Sequence, residues 1–182
     1  MKVFRLNNDV NRYQYFLTEN ESDAMKLISN CAPSKATWLP PPVFVYKPRH
    51  QEGDFYNFYS GTPILTPRAT ELLRDYLEMS GELLPLPYKS EIFTLLNITE
   101  CINCLDEQNS EWLHESYPGE KSGPIKKYVF HPDRFSESDI FKIPETSPVE
   151  VLVLDREEGE GCIDILRNSD ITGYELTLLW ED

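Results

Sequence analysis

Four cysteines, three histidines and several closely spaced carboxylates carry most of the chemical potential of this 182-residue chain. Cys101 and Cys104 form a single C-x-x-C. A zinc ribbon needs a second such pair, and Cys31, Cys162, His114 and His131 are too scattered in sequence to complete four ligands. A dithiol redox motif would lie between a strand and a helix, whereas this one runs into the polar turn Asp106 to Ser110. The thiols are therefore read as free and mostly buried, Cys101 and Cys104 as core thiols. The three histidines, His50, His114 and His131, supply few general bases, and none sits in a hydrolase, phosphate-loop, dinucleotide or zinc-protease signature. His131, before Pro132, reads as a turn or core residue. Asp106, Glu107, Glu111 and Glu115 are close enough to suggest calcium, but the glycine and spacing of an EF-hand loop are missing. Carboxylate pairs such as Asp155 and Glu157 have no diagnostic sequence form. The expectation is a chain without a catalytic set, a metal or a cofactor.

The remaining property of these carboxylates is their field. The net charge is −14, and it is uneven: residues 68–120 hold 11 acidic and 3 basic side chains, and residues 150–182 hold 10 and 2. Such a surface repels nucleic acid and anionic membrane and steers basic partners toward it, although solubility alone also accounts for acidity. Two acidic sets follow apolar segments and should project from them: Glu107, Glu111 and Glu115, and Glu157, Glu158 and Glu160. Trp112 and Tyr117 are the aromatic residues placed to anchor an interface within the first set.

The elements that must hold these residues begin with a helix over about 67–80. Thr66 can cap its first amides, Pro67 suits the first helical position, and Gly81 suits a left-handed residue after the last turn. Ala69, Leu72, Leu73, Tyr76, Leu77 and Met79 recur at helical spacing and predict one buried face. Glu82 to Leu86, Ile92 to Ile98, Ile125 to Phe130, Ile140 to Ile143, Val149 to Leu154 and Tyr174 to Trp180 read as strands, the last with Tyr174, Leu176, Leu178 and Trp180 on one face. Short helices are expected near 22–29 and 161–167. Lys2 to Leu6 and Arg12 to Leu17 read as a hairpin, and Glu115 to Pro124 as the most loop-like segment. Between Cys31 and Asn57, five prolines leave only Val43 to Tyr46 as a strand. The aromatics Trp38, Phe44, Tyr46, Phe55, Tyr56, Phe58 and Tyr59 are read there as a cover over the core.

Several of these stretches, in order, resemble an immunity-protein family of bacterial polymorphic-toxin systems, family eleven of that classification and formerly a domain of unknown function. They are TPRATELL (66–73), GELLPLP (81–87), LLNITECINCLD (95–106) followed by Ser110, FHPDRF (130–135), DIFKI (139–143) and ITGYELTLLW (171–180). The likeness is clear from Ile64 to Trp180 and faint before it. It implies a protein that binds a cognate antibacterial toxin and supplies no catalytic residues to carry over.

The resulting expectation is one compact α+β domain over 1–182, with a hairpin, short helix and proline-rich cover in 1–61 and the family-like core in 62–182. Its sheet is mixed or mainly antiparallel and is packed by one main helix. An apolar content of 40% argues against disorder. No apolar run approaches a bilayer span, and MKVFRLNNDVNRYQYF lacks the pattern of a signal peptide, so a bacterial cytoplasmic location is expected. The functional expectation is stoichiometric occlusion of a toxin with a basic face, with no nucleic-acid or membrane partner and the oligomeric state open. The alternatives are a small enzyme that reverses or degrades a toxin product and, behind it, a regulatory binding protein.

Overall fold

The computed structural model describes residues 1–20, 31–59, 61–117, 120–147, 149–156 and 161–182. Its architecture follows from strands that are apolar on both faces. In the first sheet the order is β10 (Ile140–Phe141), β11 (Leu152–Asp155), β1 (Lys2–Asn8) and β12 (Tyr174–Glu181). In the second it is β4 (Phe55–Tyr59), β5 (Thr62–Leu65), β7 (Glu91–Ile98) and β6 (Gly81–Tyr88). Two ribbons complete the set: β2 (Tyr15–Thr18) with β3 (Val43–Tyr46), and β8 (Glu111–Tyr117) with β9 (Glu120–Lys127). Each pairing of described strands is antiparallel.

Successive strand side chains point to opposite faces, so each sheet feeds two cores. Phe4, Leu6 and Val153 of the first sheet and Leu65, Leu96 and Ile98 of the second turn inward. They meet Ala69, Leu73 and Leu77 of helix α1 (Pro67–Ser80) and Cys162, Ile163 and Leu166 of helix α2 (Cys162–Asn168). Val3, Leu152 and Leu154 face the other way and are covered by Ile102, Cys104, Leu105, Ile125, Tyr128 and Phe130. On the second sheet Ile64, Leu84, Leu86, Phe93 and Leu95 are covered by Phe16 of β2, with Val43 and Val45 of β3 packed against them. The protein is a mixed α+β domain with helices packed between two sheets, and a ribbon on the outer side of each.

Helix α1 starts as its sequence dictates. Thr66 Oγ1 accepts from the Ala69 amide at 3.3 Å, and Pro67 occupies the first turn. Its buried stripe is narrower than the periodicity predicts: Leu72 and Met79 are half exposed, while Thr70 and Ser80 are buried. Gly81 is also not the left-handed residue expected. Its φ of 169° is extended, and it opens β6 directly. The position excludes a side chain because a Cβ would lie 2.0 Å from the Asn97 carbonyl oxygen on β7.

Three further readings are corrected. β1 and β2 do not form a hairpin: β1 is inserted between β11 and β12, and β2 pairs with β3. The buried Val3, Phe4 and Leu6 find partners distant in sequence, and local turn chemistry could not reveal that. Of the segment expected as a loop, 115–124, residues 115–117 end β8 and residues 120–124 begin β9, while 118–119 lie outside the described residues. Along β12, a bulge opposite Val3 and Phe4 interrupts the alternation, leaving Leu178 exposed while Leu179 and Trp180 pack on the second core. The short helix expected near 22–29 lies outside the described residues; the one near 161–167 is α2.

In the proline-rich stretch Phe55, Tyr56 and Phe58 are buried, and Trp38 packs on the third core with its Nε1 donating to the Pro85 carbonyl at 2.8 Å. Phe44 and Tyr46 turn outward on β3.

Candidate partner-binding surface

The turn after Leu105 is built by one aspartate. Asp106 Oδ1 accepts from the amides of Gln108 and Asn109 at 3.0 and 3.1 Å, and Oδ2 accepts from Asn109 Nδ2 at 2.7 Å. The Asn109 side chain is the largest influence holding the Asp106 carboxyl below its ordinary range, and His131, 4.0 Å away, adds to it. Asp106 is thus a turn former with its lone pairs in use. Ser110 closes the turn, its Oγ accepting from the Val129 amide at 3.0 Å. An antiparallel bridge between Leu105 and Phe130 brings the turn against the 3-10 turn Pro132–Arg134. A cleft of about 450 Å3 opens between them, lined by Asn103, Leu105, Asp106, Glu107, Gln108, His131 and Arg134.

Of the residues singled out in the sequence, Glu107 is exposed on this cleft and Glu111 is exposed at the start of β8. Glu111 faces Lys127 of β9, with 3.8 Å between carboxylate and ammonium. Trp112 is half buried against the second core, and its Nε1 is buried without a hydrogen-bond partner among the described residues. Leu113, next along, is 55% exposed. Glu115 and Tyr117 continue β8; their side chains lie outside what is described. Glu157, Glu158 and Glu160 lie outside the described residues, between β11 and α2. The structure therefore brings Glu107, Glu111 and Trp112 to one region. His131 and Arg134 join it through a tertiary bridge that no sequence spacing announces.

Elsewhere in the fold, among the described residues, six arginines are paired with carboxylates. Arg68 binds Asp54 at 2.7 Å and Asp170 at 2.6 Å, Arg74 binds Glu71 and Glu78, and Arg156 binds Asp139. Arg5 binds Glu150, which also accepts from the Tyr128 hydroxyl, and Arg167 binds Asp155. Arg12 is held by Asp9. These arginines serve the fold and leave surplus carboxylates at the surface.

Asp54 and Asp139 are buried polar anchors that the sequence did not single out. Asp54 takes the Thr66 hydroxyl, the Thr172 amide and the Arg68 guanidinium. Burial works to raise its pKa, but Arg68, Thr172 and Thr66 together hold it below the usual range. Asp139 accepts from the Cys162 amide at the start of α2. In both cases a carboxylate lies by a helix N-terminus, where amides and dipole favour negative charge.

The chain matches no known family model and none of the curated proteins.

Chemistry at the cysteines is set by burial. Cys104 and Cys162 are buried and Cys31 half buried, while Cys101, read from sequence as a core thiol, is exposed at residue level. Burial pushes the Cys104 thiol up to about 12, and burial with a hydrogen bond to Cys31 does the same for Cys101. All four cysteines are free thiols. Among the described residues no three His, Cys, Asp or Glu side chains converge on a metal-sized site, and no helix is long and apolar enough to cross a membrane.

Proposed function

We propose that the chain is an immunity protein of the family it resembles, which binds a cognate antibacterial toxin domain in the bacterial cytoplasm and neutralises it by stoichiometric occlusion. The observation that carries this reading is the exposed Glu107 on the 450 Å3 cleft, followed along the chain by the exposed Glu111 and Leu113 at the start of β8. These carboxylates and the exposed leucine share the region with His131 and Arg134 of the cleft and with Lys127 opposite Glu111, in a chain whose net charge is −14. Such a surface matches a basic partner: the charges steer encounter, and buried apolar contacts at the centre retain it. Ribbon β8–β9 pairs with no other described strand, so backbone donors and acceptors along its edges are also open to a partner segment. Glu115, Tyr117, Glu157, Glu158 and Glu160 belong to the same proposal as residues of the interface.

The test is binding to the toxin encoded beside this protein's gene. Replacing Glu107 and Glu111 by lysine should weaken affinity by about tenfold or more at low salt and by less in 0.5 M salt. Reversing Glu157, Glu158 and Glu160 together tests the second set. Unchanged affinity and salt dependence in both variants would remove the acidic surface from the mechanism. Toxin activity should titrate to zero near one equivalent, whereas full protection at a small fraction of an equivalent would identify a catalyst instead.

A further inference from the structure

A second cleft, of about 120 Å3, lies at the opposite ribbon, lined by Gln14, Val45, Glu52, Tyr56, Tyr88, Lys89, Ser90, Glu91 and Phe93. It combines three aromatic residues with charged side chains. Tyr56, Tyr88 and Phe93 belong to one ring cluster around Phe16: Tyr56 and Phe93 meet edge to face at 5.3 Å, and Tyr88 and Phe93 at 6.2 Å. These rings are held in place, since Phe16, Tyr56 and Phe93 are almost entirely buried. Glu52 and Glu91 also line the cleft and are exposed, one before β4 and one at the start of β7. Burial first, then the charges of Glu52, Asp54 and Glu91, push the Tyr56 hydroxyl up to about 12.

Aromatic faces combined with carboxylates are the environment that binds an organic cation, because ring quadrupole and charge attract it together. The site already displays this. The Lys89 ammonium lies 5.1 Å from the Tyr88 ring centroid. Lys89 holds that place from a left-handed backbone, with φ of 53°, a conformation glycine or asparagine would adopt at lower cost. The resident ammonium is on a flexible side chain in an exposed turn, so it can be displaced by a cation arriving from outside.

We propose that this cleft is a binding site for the cationic end of a lysine or arginine side chain presented by a protein partner, with Tyr88 as the aromatic wall and Glu52 and Glu91 as counter-charges. It is separate from the acidic turn and does not depend on the toxin reading, since the isolated chain can be probed with free amino-acid derivatives. Acetyl-lysine methylamide and acetyl-arginine methylamide would be titrated into the full chain while the amide and aromatic signals of Tyr88 to Phe93 are followed by NMR. Neutral acetyl-norleucine methylamide and tetramethylammonium serve as comparisons.

Saturable shifts confined to the cleft are expected for the two cationic derivatives at millimolar concentration, with norleucine inert. The Glu52→Gln/Glu91→Gln double variant should weaken binding about fivefold, and Lys89→Ala should tighten it about twofold by removing the resident competitor. The same spectra report whether each variant is folded. Equal binding of norleucine, absence of saturable shifts, or weaker binding to Lys89→Ala would overturn the proposal. Tighter binding of tetramethylammonium than of either derivative would assign the cleft to a free quaternary amine and overturn the side-chain assignment.

Discussion

Ribbon β2–β3 rests on Phe16, fully buried and stacked at 4.8 Å on Tyr56, whereas ribbon β8–β9 rests on Trp112 and Ile125, of which Trp112 is only half buried. The first ribbon joins strands far apart in sequence in one unbroken register from Tyr15↔Tyr46 to Thr18↔Val43. The second is a local pair whose register shifts three times. Gln14, beside β2, donates to the carbonyls of Pro48 and His50, while the Trp112 indole on β8 has no such outlet among the described residues. Both cover the outer face of a sheet, but they divide the energetic work unequally. A cover that is deeply anchored tolerates little change, and one with a shallow base and irregular register leaves its sequence freer to match a partner.

Substitutions that break this asymmetry can be ranked. Phe16→Ala should cost about 4 kcal/mol, because it empties a ring-sized volume in a closed aromatic cluster. Asp54→Asn, which belongs to neither ribbon, serves as a reference at about 2 kcal/mol; it breaks a buried charge network whose Arg68 partner is half exposed and so partly rescued by water. Because the folded pKa of Asp54 lies below that of the unfolded chain, its contribution is present above the unfolded carboxylate range and is lost as pH falls through the folded value. The stability gap between wild type and Asp54→Asn should therefore narrow below about pH 4. Trp112→Ala should cost about 2 kcal/mol, roughly half the Phe16 effect, since part of the ring is already in water. Denaturant unfolding measures all three, and a Trp112→Ala loss as large as that of Phe16→Ala would end the distinction between the ribbons. Glu111→Ala should change stability by less than about 0.5 kcal/mol, because its pairing with Lys127 is exposed and long.

Features governed by neighbours in sequence were legible. Helix α1 carried its cap and first proline in consecutive residues, and β7, β11 and β12 announced themselves by apolar runs between turn signals. The stretches behind the family resemblance prove to be where caps and cores are made: Thr66 and Arg68 bind Asp54, Gly81 meets Asn97, Asp139 caps α2, and Gly173 at φ 93° passes close to the Phe55 carbonyl. Pairings decided across the fold were not legible. The partners of β1 are at the other end of the sequence, and residues 115–117 and 120–123 have loop composition yet belong to paired strands whose base is the Trp112 and Ile125 pair. The candidate surface follows the same division. Glu107 and Glu111 were visible as carboxylates, but the cleft beside Glu107 joins residues that the Leu105 and Phe130 pairing brings together across the fold.

The position of β1 has a consequence for synthesis. Lys2 pairs with Asp155 on one side and Glu181 on the other, so β1 leaves the ribosome long before either of its partner strands is translated. Until then Val3, Phe4 and Leu6 are an apolar strand with two open edges, the kind of segment that aggregates or recruits a chaperone. The second sheet, with β4 to β7 contiguous in sequence around α1, can assemble while β1 is still waiting. Cotranslational folding should thus establish the second sheet before the first, and β1 should be protected from protease only after β12 has left the exit tunnel.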